Sequence, residues 1–145
     1  GDGGWAYKAG QASYGSMSAG GLGSLAICMF YLNKNTRNNR NIRKGVYWMT
    51  KNFTVTENPK RDEWVYYYLY AMERVGAFLN LKTFGKNDWY NQGAKYLLKM
   101  QMDNGSWYDS SNRFGPSTGS IADTCFAILF LRRATKPLKI VITGR

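Results

Sequence analysis

Gln92-Gly93-Ala94-Lys95-Tyr96-Leu97-Leu98-Lys99-Met100-Gln101-Met102-Asp103-Asn104-Gly105-Ser106-Trp107 is the most informative stretch of this chain, because parts of it occur twice more. Lys44-Gly45-Val46-Tyr47-Trp48-Met49 repeats its opening: Gly, two residues, an aromatic, then a large aliphatic. Gly45 and Gly93 stand 48 positions apart. Gly3-Gly4-Trp5 repeats its end, with a glycine two residues before a tryptophan. After Trp5 and again after Trp107 comes a Gly/Ser-rich loop and then an apolar run, Leu22 to Leu32 and Ile121 to Leu131. A period of about two helices is the signature of stacked α-hairpins.

The helices implied by this period are of two kinds. Asp88 to Met102 sets Asn91, Gln92, Lys95 and Lys99 on one side and Trp89, Gly93, Tyr96, Leu97 and Met100 on the other. Ile42 to Phe53 divides in the same way, as an outer helix with one wet face does. Trp64 to Leu81 is apolar or aromatic on nearly every side, and Ser18 to Leu32 and Gly119 to Arg132 are similar; such helices are buried all round. The expected fold is therefore all-α: about five helices in the order inner, outer, inner, outer, inner. Residues 1–135 are expected to form the repeat domain, a part of a larger one because the chain opens half-way through a repeat. Residues 136–145 are expected to be an extended tail, with Lys136 to Ile142 resembling a short strand or linker.

Composition narrows the chemistry. With 145 residues, 44% of them hydrophobic and 16% aromatic, the chain suits one packed domain. It has no histidine, which removes Ser-His-Asp and Cys-His catalysis and most zinc sites. Its two cysteines, Cys28 and Cys125, lie in apolar runs and are expected to be buried thiols. The longest apolar run is too short to cross a bilayer. The chain opens without Met and without a basic-then-apolar leader, so the compartment, periplasmic or secreted included, stays open. The net charge of +11 gathers in Lys34, Arg37, Arg40, Arg43 and Lys44. No recognition motif accompanies that run, and a solvated loop is expected there rather than a nucleic-acid site.

Gly93, Tyr96, Leu97, Gln101, Gly105 and Trp107 resemble the QW motif of the squalene cyclase and prenyltransferase repeat superfamily, departing only at Gln92, where that motif has a basic residue. The Lys44 copy keeps the basic residue, Gly, aromatic and aliphatic positions and has Phe53 in place of the Gln. The resemblance implies a partial α/α toroid, with inner helices lining a cavity. It also implies structural roles for the motif: Gln101 bonding helix-end backbone groups, Trp107 lying over the junction, and Gly105 allowing the turn.

The superfamily's chemistry is largely missing. Ser120-Ile121-Ala122-Asp123-Thr124 resembles the D-x-D-D-T acid motif of the cyclases, but places Ala122 where the protonating acid stands. Asp123 is then expected to cap or bond a helix end. Asp123-Thr124-Cys125 looks like the Asp-x-Cys pair of the zinc prenyltransferases, without the histidine that completes it. No segment resembles the Gly-Cys-Gly-Glu-Gln loop of the thioester branch. The chain also looks like bacterial proteins known as prenyltransferase or squalene oxidase repeat proteins, which implies a fold and no activity. No metal site or cofactor is expected.

The ligand-binding candidates are Tyr66, Tyr67, Tyr70, Glu73 and Arg74 on the aromatic helix, together with Asp123, Trp5 and Trp107. Tyr hydroxyls and Glu73 suit a polar or sugar-like ligand, and stacked rings suit an isoprenoid or a cation. The competing reading is that the rings are core and Glu73 pairs with Arg74 or a helix end. The expected function is a non-catalytic repeat module that binds a small molecule or protein within a larger bacterial protein. The alternative is an isoprenoid-processing enzyme, terpene cyclase or prenyltransferase-like, with catalytic residues outside this chain. An unpaired repeat end leaves apolar surface open, so size-exclusion chromatography is expected to show concentration-dependent self-association; a monodisperse monomer at high concentration would count against it.

Overall fold

A computed structural model describes residues 1–111 and 115–138, and in it the chain is all-α, with five packed helices. They are α1 (Gly15–Tyr31), α2 (Arg40–Lys51), α3 (Val65–Phe78), α4 (Trp89–Met100) and α5 (Gly115–Leu131). α1, α3 and α5 lie side by side, with α3 in the middle. α2 packs on α1, and α4 packs on α3 and α5, so inner and outer helices alternate. Among the described residues there is no strand, and no helix is long and apolar enough to cross a membrane. Of the extended tail expected at 136–145, residues 139–145 lie outside the described residues.

The outer helices carry their own start signals. The Asn39 side chain accepts the N–H groups of Asn41 and Ile42 at 2.9 and 3.1 Å, and Asp88 accepts that of Asn91 at 3.0 Å. Inner helices α1 and α3 have no such side-chain cap. The first N–H groups of α1 are met from the loop preceding α3: Gly15 donates to the Pro59 carbonyl at 2.8 Å and Ser16 to the Asn58 side chain at 2.8 Å. At the start of α3, Val65 N stands 3.5 Å from the Asp109 carboxylate, in the loop preceding α5. For α1 and α3, the loop before the next inner helix thus supplies what the first turn lacks.

The inner helices share one ending. Asn33, Asn80 and Arg133 each adopt the left-handed conformation, with φ of 51°, 51° and 47°. Each N–H bonds a carbonyl three residues back, and the next N–H bonds one five residues back, the Schellman pattern. The ending turns the chain off each inner helix.

The motif glycines make room for rings. A Cβ at Gly45 would stand 2.8 Å from the Trp5 ring, and one at Gly93 would stand 2.4 Å from Phe130. Gly76 on α3 lies against Trp89 in the same way, at 2.3 Å. Trp48, Tyr66, Tyr68, Leu69, Met72, Trp89, Leu97 and Phe130 form the centre of the core. α4 departs from the expected division at Met100, which is exposed.

Cys28 and Cys125 are exposed, which corrects the expectation of buried thiols. They belong to α1 and α5, which each have one inner neighbour, whereas α3 has two. An apolar sequence on a flanking helix is left partly uncovered, as at Ile121 on α5, which is 69% exposed. Gly76→Ala is expected to lower stability by about 1–3 kcal/mol through overpacking against Trp89. Gly20→Ala, on α1 with open space beside it, is expected to raise stability by about 0.5–1 kcal/mol. Urea denaturation of both variants measures the contrast.

Candidate functional site

Tyr67, Tyr70 and Arg74 follow one another at helical spacing along α3 and line one cavity of about 280 Å³. The opposite wall belongs to α1, where Gly20, Gly23 and Ser24 are small enough to leave the space. A Cβ at Gly20 would meet no atom within 4 Å. The Arg74 guanidinium donates to the Tyr70 hydroxyl at 2.8 Å and stands 5.5 Å from that ring's centre and 5.1 Å from that of Phe78. It is thus held in place by rings rather than by an acid.

A second hollow of about 300 Å³ shares Tyr67 and runs toward the starts of α1 and α3. Tyr14, Trp64 and Phe126 line it, with Arg61 and the exposed Tyr7 at its rim. Phe126 of α5 stacks at 5.3 Å from Tyr70 and tilts against Tyr67 at the same separation, joining the hollows into one aromatic groove. Arg61 stands 5.2 Å from the Tyr14 ring centre and 3.5 Å from the Glu63 carboxylate. Trp64 has left-handed backbone, φ 73° and ψ 39°, a conformation that costs a non-glycine residue roughly 1–2 kcal/mol. Its indole N–H donates to Glu63 at 3.1 Å.

The other sequence candidates stand outside this groove. Tyr66 is buried in the core, and desolvation pushes its hydroxyl well above the usual tyrosine range. Glu73 is fully buried, and burial raises its carboxyl pKa. It pairs with neither Arg74 nor a helix end of its own hairpin: it accepts the Thr135 hydroxyl at 2.6 Å and the Thr135 N–H at 3.3 Å. Glu73 therefore holds the segment after α5. Asp123 is fully buried and accepts the Asp109 N–H at 2.9 Å, which ties α5 to the loop before it.

Trp107 is also structural. Its indole donates to the Leu97 carbonyl at 2.8 Å, one of the free carbonyls at the end of α4. Gln101, expected to serve helix-end groups, instead donates to the Gly105 carbonyl at 2.9 Å within the turn that Gly105 (φ 82°) closes. Trp107 N–H donates to the Thr124 hydroxyl at 3.0 Å; Trp5 N–H donates to the Ser18 hydroxyl at the same distance. The two tryptophans thus dock on inner helices alike. Trp5 fills the notch between Gly21 and Gly45.

Tyr7, Tyr14, Arg61, Trp64 and Phe126 were missed as site residues because three separate segments bring them together. One available signal was the run of Gly and Ser in α1 beside a tyrosine-rich helix. Comparisons with protein-family models, curated proteins and solved structures found no match to this chain. Among the described residues, no three Cys, Asp or Glu side chains gather as a metal site.

Asp2 anchors the first segment beside the inner helices. It accepts the Ser13 hydroxyl at 2.6 Å, the Gly4 N–H at 3.0 Å and the Trp48 indole N–H at 3.0 Å, with Lys60 at 3.8 Å. The Ser13 bond leads the causes that lower its pKa to about 2. A carboxyl depressed in the fold stabilises above its unfolded value and loses that contribution as pH falls through the folded one. Asp2→Asn is expected to be less stable than the parent above about pH 4. The gap should close between pH 4 and about pH 2, as followed by thermal unfolding across that range.

Proposed function

We propose that this protein is a helical repeat module of the α/α-toroid type, related to the squalene cyclase and prenyltransferase repeats. It holds a ligand in the aromatic groove along its inner helices, as the interaction part of a larger protein. The observation that carries this reading is the cavity between Tyr67, Tyr70 and Arg74 of α3 and the small-residue face of α1. Its size falls close to the usual range of small-molecule sites. The internal likeness of Trp5 and Trp107, each docked through its backbone N–H on an inner-helix hydroxyl, supports the repeat assignment.

Binding without chemistry is favoured by where the acids stand. Glu73 and Asp123 are buried in structural bonds, and neither lines the groove. The charge of the groove also selects among ligands. Arg61 and Arg74 already lie over Tyr14 and Tyr70, so a cation would meet like charge there. A neutral or anionic ring-bearing molecule stacks on the remaining faces and accepts hydrogen bonds from Arg74 and the tyrosine hydroxyls.

Native mass spectrometry of the gently purified protein is expected to show a retained small molecule. Gly20→Leu fills the cavity from a position with open space beside it, and is expected to lose that adduct while its unfolding midpoint stays at or above the parent's. A parent that carries no adduct, and whose tyrosine and tryptophan fluorescence no small-molecule panel perturbs, would defeat the proposal.

A further inference from the structure

A separate groove of about 450 Å³ lies between α2 and the turn that ends α3. Its walls are apolar: Ile42, Val46 and the Tyr47 ring on α2, and Leu79 and Leu81 beyond α3. Arg37 and Arg43 complete the lining. Both arginines are exposed, and neither has an ion pair among the described residues. From residue 3 to residue 56 the chain holds seven lysines and arginines and no carboxylate, so the segment brings these cations without balancing acids. The first turn of α2 also lies here, and its positive end adds to the field.

We propose that this groove binds an anionic amphiphile, a hydrocarbon chain ending in a carboxylate. The chain lies along Ile42, Val46, Leu79 and Leu81, and the head is held by Arg37 and Arg43. An apolar trough alone would accept any hydrocarbon, and a basic loop alone would accept any anion. Their juxtaposition selects a molecule with both properties. Guanidinium groups fit a carboxylate through paired N–H donors, which gives the head group geometric as well as electrostatic preference. The site is separate from the inner aromatic groove: the two share no lining residue.

Isothermal titration calorimetry with decanoate below its micelle concentration tests the proposal, beside acetate as the head alone and 1-decanol as the chain alone. Decanoate is expected to bind at least tenfold more tightly than either, and to weaken as salt is raised. The double variant Arg37→Gln/Arg43→Gln is expected to lose at least tenfold in decanoate affinity. Thr50→Phe, which fills the groove, should lose it similarly, and Gly20→Leu should leave it unchanged. Thermal unfolding checks that the variants fold; the two arginines are exposed, so the double variant keeps the core intact. Equal binding of acetate, or unchanged affinity in the arginine double variant, would overturn the assignment. Loss of decanoate binding in Gly20→Leu would move it to the inner groove and overturn this site. Tighter binding of a mixed-sequence oligonucleotide than of decanoate, lost in the same arginine variant, would reassign the basic run to a polyanion.

Discussion

An inner helix in this protein leaves its first turn for another part of the chain to complete. α1 begins at Tyr14 and Gly15 with no capping side chain, and its N–H groups are taken by Asn58 and the Pro59 carbonyl, over forty residues away. Buried donors left without partners cost about 1–3 kcal/mol each, so α1 and the loop before α3 stabilise one another or neither is secure. Asn58 meets this demand fully, accepting from Ser16 N–H and donating to the Ser16 hydroxyl and the Glu63 carbonyl. The same dependence reappears at α3, where Asp109 approaches Val65 while Asp123 holds the Asp109 N–H. Successive hairpins are joined by these polar contacts as well as by the shared apolar core.

Rings set into glycine notches add a second constraint. Trp5 sits between Gly21 and Gly45, Trp89 lies on Gly76, and Phe130 lies on Gly93. Each notch seats a ring where a side chain on the glycine would collide with it. Trp89 is also bonded in place, its indole N–H donating to the Leu81 carbonyl at 2.8 Å; Tyr90, stacked on Phe130, donates its hydroxyl to the Leu131 carbonyl at 2.8 Å. The scaffold is closely filled where large residues meet glycine. It is open where small residues meet tyrosine, and the cavity between α1 and α3 is a place of that second kind.

The buried acids belong to the scaffold. Glu73 is a carboxylate in a desolvated position, a feature often found at catalytic sites. Here its two oxygens receive the Thr135 hydroxyl and N–H, which fastens the chain beyond α5 onto the middle helix. Arg133, just before, covers Tyr90 at 4.7 Å from the ring centre. The segment is thus held at two points, and α3 is enclosed by α1, α4, α5 and the chain that follows α5.

Sequence periodicity alone determined the helix count and the alternation of wet-faced and all-round-apolar helices. These are local properties, read from neighbours within a turn or two. It could not separate Tyr66 from Tyr67 and Tyr70, since all three stand on one aromatic helix; the core takes Tyr66, and the groove takes the others. Nor could it exclude Glu73 and Asp123 from the site, because their partners are 62 and 14 residues away. It placed Cys28 and Cys125 inside because their runs are apolar, whereas burial depends on how many helices stand beside each one. Tertiary structure decided these matters: whether a side chain is core, strut or groove lining is fixed by distant segments packed against it, and hydrophobic pattern carries no record of them.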